Sequence, residues 1–510
     1  MKNLNRRDVL KLLGLLPAAY ALNQFSNLNI SGNPSMQNVL ILVFDAFSAH
    51  HLPFHGYGRD TAPNLTKLLD KAIVYHNHYA ASNFTTPGTA SLLTGAYPWS
   101  HRAFNLNSTV TDEFENNNIF SAFSSYTRAA YTHNPYAHNF LLQFKKHIDH
   151  LAPKHELYLN YSYIFDQLTE NDWDVVRFTK RRVIGPTPYP LVSSLYLNQI
   201  LSHFDARQKQ TVEDQYSDLF PSGIPAVDQN YYFLLEQAID WTYAQLDQIN
   251  QPFLGYYHYY PPHDPYRTRI EFEADFHNDD YPLINKPLNV FSSGMTEDQI
   301  YAKNTRYDRS IRYLDSEFYR LYQLLESSGL TDNTWIIFTS DHGELFERGM
   351  TGHTSEFVYE PVIKIPLIIF EPGRTERLDI HTNTSATDIL PTIVKITSQN
   401  PQAASEGQLL PPFNSASLDS RPIFSIDARR NPRNQPLRTY SAAIIKDRFK
   451  LIQYAGYPEL DTGMILSELY DLENDPHELN NLVKSHPQML SLLTQELNTK
   501  IEEVNAPFEK

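Results

Sequence analysis

Asn38-Val39-Leu40-Ile41-Leu42-Val43-Phe44-Asp45 is an unbroken apolar run that ends on a carboxylate. Continuous apolar character, rather than alternation, marks a strand buried on both faces, as in a sheet covered by helices. The pattern returns at Trp335-Ile336-Ile337-Phe338-Thr339-Ser340, which ends on Asp341-His342-Gly343-Glu344. Between the two runs, Asn83-Phe84-Thr85-Thr86-Pro87-Gly88-Thr89-Ala90-Ser91-Leu92-Leu93-Thr94-Gly95 reads as a polar turn opening into a short helix. In an open α/β sheet, ligands gather outside the carboxyl ends of the strands. Two such strands bring Asp45, Asp341 and His342 to one edge, where the Thr85 hydroxyl at the start of a helix faces them. The expectation is a metal site with a nucleophile beside it.

Working outward, residues 36–400 alternate strand-like apolar runs with helical patterns, which predicts an α/β domain with a mostly parallel sheet between helices. Ala62–Lys71 is a helix candidate with Pro63 in its first turn. Tyr301–Ser328 carries Ile311, Leu314, Phe318, Leu321 and Leu325 at helical spacing and stops at Gly329. Ile365–Phe370 is a further buried strand, with Lys364 just before it as a solvated or edge residue. Residues 401–422, rich in Pro, Ser and Asn, read as a linker or surface excursion. Short strands at Ile423–Ile426, Ser441–Ile445 and Lys450–Tyr454, with a helix from Pro487 to Val504, make 423–510 a small α+β subdomain. At 510 residues the chain exceeds what one core usually supports, so two domains are expected. Residues 149–222, rich in Tyr, Pro and charge, are the place for a substrate-shaping insertion.

The formal charge of -16 argues against a nucleic-acid or membrane-surface binder, so an anionic substrate needs a local positive pocket built from metal, His or Arg. The absence of cysteine excludes disulfides, thiolate metal sites and a cysteine nucleophile. At the start, Asn5-Arg6-Arg7-Asp8-Val9-Leu10-Lys11, the apolar Leu12-Leu13-Gly14-Leu15-Leu16 and Ala19-Tyr20-Ala21 resemble a twin-arginine export signal with a cleavage site. Residues 1–35 are accordingly expected to be signal and linker, read by the twin-arginine export machinery. The working compartment would then be periplasmic, cell-surface or secreted. No run after the signal reaches membrane-spanning length.

Several segments together resemble the sulfatase family of the alkaline-phosphatase superfamily. Thr85-Thr86-Pro87-Gly88-Thr89, followed by Leu93-Thr94-Gly95, is similar to the family's nucleophile motif, in which Cys or Ser comes first and Pro third. Phe338-Thr339-Ser340-Asp341-His342-Gly343-Glu344 resembles its second metal motif. His258-Tyr-Tyr-Pro-Pro-His263-Asp-Pro-Tyr266 looks like its His-x-x-x-Pro-His-x-Pro segment, and Gly352-His353 with Tyr359-Glu360 fits the next. Glu468-Leu469-Tyr470-Asp471-Leu472 through Leu482 is similar to the C-terminal signature. The resemblance implies an alkaline-phosphatase-like fold and a metal-dependent hydrolase of sulfate-type or phosphate-type esters.

The departures from the family pattern carry as much meaning. Sulfatases of this family convert the first Cys or Ser of the motif to formylglycine, and Thr85 stands in that slot with a β-methyl that prevents an aldehyde. Thr89 replaces the family's Arg, and Ala46 replaces a second Asp. The family's Gly-Lys-x-x-His segment is not recognisable, and His133 is the nearest candidate for its Lys. The set Asp45, Thr85, Asp341 and His342 is similar to that of lipoteichoic-acid synthases and phosphoethanolamine transferases, which use an unmodified Thr around one divalent metal. The resemblance thus implies Thr85 as nucleophile and one divalent ion, with Mn, Zn or Mg favoured by the mixed O/N ligand set and Ca also open. His263, His353 and His133 are the candidate proton donors or oxyanion holders, and Thr86, Gly88 and Thr89 the candidate substrate-binding residues. Each has a plainer reading: Thr85 as a helix cap, His263 as part of a Pro-rich turn, Gly88 as a turn glycine, and His258 packed among its tyrosines. The alternatives to hydrolysis are transfer to an acceptor alcohol and an inactive sulfatase-like binding protein. The substrate is expected to be a small-molecule, glycan or lipid-linked ester.

Overall fold

The computed structural model describes residues 36–161, 195–414 and 421–509, except positions 229, 278, 280 and 285. The expected signal (1–35), much of the expected insertion (162–194) and the end of the expected linker (415–420) lie outside the described residues.

Eight strands form the main sheet: β1 (Asn38–Phe44), β2 (Ile73–Tyr75), β3 (Thr127–Thr132), β4 (His150–Leu151), β5 (Phe253–Tyr259), β6 (Thr334–Thr339), β7 (Leu367–Phe370) and β8 (Leu378–Ile380). Their order is β8-β2-β7-β6-β1-β5-β3-β4. β1 lies inside the sheet, buried along its whole length and paired in parallel with both β5 and β6. β7 alone runs against its neighbours. The register sets Val43 beside both His258 and Thr339. The carboxyl ends of β1, β5 and β6 are therefore level, and whatever follows them meets at one edge.

Five helices matter for that edge: α1 (Thr85–Thr94), α2 (Leu235–Gln248), α3 (Glu297–Ser327), α4 (Ile389–Ile396) and α5 (Pro487–Asn505). α3 begins four residues before the sequence-based start, because Thr296 and Gln299 form a reciprocal cap ahead of it. It ends ahead of Gly329, whose φ of 74° is left-handed. Its apolar face lies on the sheet, with Phe318 4.8 Å from Phe338 and 6.1 Å from Phe44 between ring centroids. The strand ends that carry the site thus stand on a packed aromatic floor.

A second, antiparallel sheet runs in sequence order through β9 (Ile423–Asp427), β10 (Tyr440–Lys446), β11 (Phe449–Ala455) and β12 (Ile465–Asp471). β12 was missed in the sequence because it falls inside the charged C-terminal signature. Leu493, Leu497 and Ile501 of α5 cover this sheet in one core with Tyr97, Trp99 and Phe104 from the segment after α1. Within the described part of the linker region, Glu406 accepts from the Tyr97 N–H at 2.8 Å and from the Trp99 indole at 3.3 Å. Residues 37–510 form one compact unit. Among the described residues no helix is long and apolar enough to cross a membrane.

Lys450 of β11 is fully buried between Glu360, at 3.0 Å, and Glu478, at 2.8 Å. Glu478 also accepts the Glu360 N–H at 2.9 Å. Removing one member of a buried ion group strands the others in a low dielectric. Lys450→Met is expected to cost about 3–5 kcal/mol in denaturant unfolding. Adding Glu360→Gln and Glu478→Gln should recover part of that loss. A single replacement without effect on unfolding would contradict this account.

Candidate active site

α1 starts where the extended Phe84 (φ -157°, ψ 166°) turns into the helix at Thr85, and it stops at the left-handed Gly95 (φ 66°). Every residue of the helix is buried. Gly88 decides how close α1 can come to the sheet, since a Cβ there would stand 2.3 Å from the Asp341 carbonyl oxygen. With that approach, Thr85 and Thr89, one turn apart, both face the end of β6. The Thr89 hydroxyl donates to Asp341 Oδ2 at 3.3 Å, and Thr85 Oγ1 lies 3.3 Å from His342 Nε2.

Asp45 is held by the turn that follows β1. Ala46 adopts φ 60°, and its N–H reaches Asp341 Oδ1 at 3.4 Å. The Tyr307 hydroxyl of α3 donates to the Ala46 carbonyl at 2.6 Å and accepts from the Ser48 N–H at 2.9 Å. Ser340 Oγ accepts from the Phe47 N–H at 2.9 Å. The backbone accounting of the turn is therefore done by side chains from α3 and from the end of β6.

Asp45, Asp341 and His342 are fully buried and offer one ligand atom each within 4.8 Å of one another. His342 Nε2 stands 3.3 Å from Asp45 Oδ1 and 3.7 Å from Asp341 Oδ2. His342 Nδ1 donates to the Gly343 carbonyl at 2.8 Å, which leaves Nε2 facing the cluster. Asp45 Oδ1 has no hydrogen-bond partner although it is buried. Burial would raise the Asp45 carboxyl, but the imidazoles of His263, His258 and His342 outweigh it and hold it well below its usual range. Burial and the Asp45 charge raise Asp341. Burial opposes charge on His342, yet Asp341 and Asp45 lift it to about 9. An orphaned buried carboxylate oxygen, an imidazole nitrogen and a hydroxyl pointing at one spot fit a divalent cation by donor chemistry. The residues present suit the group.

The structure also reassigns residues. His258, expected to be packed among tyrosines, has Nδ1 3.2 Å from the Tyr256 hydroxyl, but its Nε2 lies 3.5 Å from Asp45 Oδ2 and 3.9 Å from Asp341 Oδ2. It belongs to the cluster, because the strand period turns it inward at the carboxyl end of β5. His133 does not reach the cluster. Its ring lies 4.3 Å from Phe233 with neither nitrogen hydrogen-bonded, and burial lowers it to about 3. The next residue takes the place instead. Asn134 Oδ1 caps the helix Pro135–Gln143, while its Nδ2 donates to Asp45 Oδ2 and to Thr85 Oγ1, the latter at 3.4 Å. The sequence signal was there, since Asn134-Pro135 is a helix cap followed by proline at the first helical position.

His353 and His263 reach the cluster through ring contacts, His342–His353 at 4.3 Å and His263–His353 at 4.8 Å between centroids. His353 Nδ1 pairs with Glu344 at 3.1 Å, and burial brings the ring to about 4 against that carboxylate. His263 Nδ1 donates to the Asp264 carbonyl at 2.7 Å. The Thr86 hydroxyl is spent on the Leu106 carbonyl at 2.8 Å. Thr86, Gly88 and Thr89 thus do positioning work within the protein.

A family model described as Sulfatase matches residues 37–399. The chain belongs to the sulfatase family. A second model, described as N-sulphoglucosamine sulphohydrolase, C-terminal, matches residues 353–507. The multifunctional alkaline phosphatase superfamily protein PehA of Trinickia caryophylli is 24% identical over 88% of this chain and 91% of its own. An N-acetylgalactosamine-6-O-sulfatase of Bacteroides thetaiotaomicron is 23% identical over 97% of this chain and 99% of its own. Among solved structures, the phosphonate monoester hydrolase of Agrobacterium radiobacter superposes with a TM-score of 0.63 at 20% identity, covering 92% of this chain and 95% of that one. That likeness shows the shared alkaline-phosphatase fold. Sulfatase-family enzymes use a divalent metal and hydrolyse sulfate or phosphate esters, and this chain is such a hydrolase by family.

Gly88→Ala tests the positioning of α1. It should lower stability by about 1–3 kcal/mol through overpacking, and it should loosen divalent-metal retention in equilibrium dialysis because the new methyl pushes on Asp341 itself, whose carbonyl oxygen it would meet at 2.3 Å. Unchanged retention would show that the close approach does not matter to the cluster.

Proposed function

We propose that this member of the sulfatase family is an exported, metal-dependent hydrolase that opens sulfate-type or phosphate-type esters through an unmodified Thr85. The observation that carries the reading is the place of Thr85 Oγ1. It sits at the first residue of α1, 3.3 Å from His342 Nε2 and 3.4 Å from Asn134 Nδ2, beside two buried carboxylates. Asp45, Asp341, His342 and Thr85, with His258 beside them, would hold one divalent ion, with Mn, Zn or Mg suiting the mixed donors and Ca also open. When bound, such an ion supplies the positive charge that makes a hydroxyl acidic and favours an oxyanion.

A threonine hydroxyl is a weak nucleophile and must be activated by its surroundings. Asn134 fixes its orientation by donating to Oγ1, so the remaining lone pair points away from that amide. The first-turn N–H groups of Thr85 and Thr86 have no partner within the helix and favour a negative oxygen in front of them. In the first step Thr85 Oγ1 bonds to phosphorus or sulfur, and the bond to the ester's alcohol oxygen breaks. His353, neutral near pH 7 and packed against the His342 ring, would take the Thr85 proton as that proton turns acidic on bonding of Oγ1 to phosphorus or sulfur. The leaving alkoxide takes a proton from His263. In the second step water attacks phosphorus or sulfur and gives a proton to His263, the bond to Thr85 Oγ1 breaks, and His353 returns its proton to that oxygen. The phosphate and sulfate options are both supported by relatives, whose names include a phosphatase-superfamily protein and a sulfatase. Export rests on the Arg6-Arg7 signal alone.

Metal-loaded protein should turn over at least one of an aryl sulfate, a phosphate monoester and a phosphodiester. Thr85→Ala is expected to reduce kcat on the order of 10³-fold or more, with metal content kept by the other ligands. Thr85→Ser should retain turnover. Equal rates in wild type and Thr85→Ala would sink the nucleophile. Removing metal with a chelator should abolish turnover and lower Tm in wild type but change little in Asp341→Asn, where the site is already broken.

A further inference from the structure

Lys364 follows the helical turn Glu360–Ile363 and was expected to be solvated or at an edge. It is instead half-buried on the wall of a cavity of about 600 Å³, opposite the turn between β10 and β11. The two arginines on that wall already have partners. Arg421 pairs with Asp388, and Arg448 lies 3.3 Å from both Asp471 and Glu473. Glu360, also on the wall, is answered by Lys450 at 3.0 Å and by the Tyr79 hydroxyl at 3.3 Å. Lys364 has no carboxylate within ion-pair distance among the described residues.

Burial lowers the Lys364 ammonium below its usual range, and Glu360 resists this only in part. The Asp447 carboxylate lies on the exposed rim and is not among the charges that act on Lys364, which are Glu360, Lys450 and Glu478. Lys364 also acts on His50 and His55, each with a buried Nε2 that has no partner. A partly buried ammonium without a counter-charge costs free energy that a bound anion recovers. Lys364, Arg421 and Arg448 on this wall are matched in number by Glu360, Asp447 and Glu473, so the pull on an anion rests on Lys364, which has no ion-pair partner among the described residues.

We infer that this cavity is a second anion site, in which Lys364 is the counter-ion for a phosphate- or sulfate-type oxyanion, free or carried on a small alcohol. The inference is independent of Thr85. Asn77, Thr382 and Asn383 on the same wall provide hydrogen-bonding groups for the body of a larger ligand. The site lies directly behind the metal loops. Gly343 and Glu344 donate their N–H groups to the Val362 and Pro361 carbonyls at 2.6 and 3.1 Å, and Ala49 donates to the Lys364 carbonyl at 3.0 Å. An anion on Lys364 therefore bears on the one segment against which both the Asp45 and the Asp341 loops rest.

Calorimetric titration with inorganic phosphate and with glycerol phosphate tests this. In full-length Asp341→Asn, where the metal cluster is disabled, one saturable site should remain. Adding Lys364→Met should weaken it by more than about tenfold, and Lys364→Arg should keep it within about threefold. Metal-loaded Thr85→Ala provides the same comparison where Asp341→Asn folds poorly, with one of two sites lost on adding Lys364→Met. Tighter binding of inorganic phosphate would identify the free oxyanion as occupant, and tighter binding of glycerol phosphate the ester. Absence of a saturable site in both backgrounds, or affinity unchanged by Lys364→Met, would overturn the inference.

Discussion

Two carboxylates, Asp45 and Asp341, share a dry pocket at the ends of adjacent parallel strands, and neither is exposed to solvent. At about 4 Å, two like charges repel by ~4 kcal/mol for an effective dielectric near 20, before any desolvation cost. Much of the surrounding architecture answers that penalty. The imidazoles of His258 and His342 converge on the pair, and the Thr89 hydroxyl, the Asn134 amide and the Ala46 N–H each donate to one of its oxygens. The balance is achieved by polar groups from β3, β5, β6 and α1 that are far apart in sequence. The level carboxyl ends of the strands are thus a requirement of the chemistry as well as a feature of the sheet.

The alignment has a mechanical counterpart in Gly88. A helix that delivers a hydroxyl to the cluster must come within van der Waals contact of the strand end, and here the contact is with the Asp341 carbonyl itself. The same contact explains why Thr89 is useful where the family pattern has an arginine. Its short hydroxyl fits the gap and donates to Asp341 Oδ2. The close approach of α1 and the small residues on its inner face therefore belong to one solution.

The parts of this arrangement that were legible in sequence are those that local pattern encodes. β1 and β6 announce themselves as apolar runs ending on acids, and α3 by its helical spacing and Gly329 stop. Asp45, Thr85, Asp341 and His342 followed from those runs and from motif order. His258 was hidden because β5 is rich in tyrosine, and nothing local says which face of a doubly buried strand meets a ligand. His133 and Asn134 differ by one residue, and only the end of β3 decides which side chain turns inward. Lys364 was misread because its surroundings are assembled from the start of β7, Tyr79 and the β10–β11 turn, which no local window contains.

The second sheet bears on the site through the same long-range logic. Lys450 reaches across to Glu360, and Glu360 opens the turn on which the Asp341 loop rests. Arg429, just beyond β9, lays its guanidinium 4.5 Å over the Phe84 ring and donates to the Ser355 carbonyl at 2.8 Å. Phe84 immediately precedes Thr85, and Ser355 lies two residues past His353. One arginine therefore braces the approaches to both Thr85 and the imidazole of His353. A stacked guanidinium with bonds in its plane restricts rotation as well as distance, which a lysine at that position would not do. The C-terminal sheet thus acts as the rear support of the cluster, and the separation into a catalytic part and a small subdomain describes chain order better than it describes how the site is held.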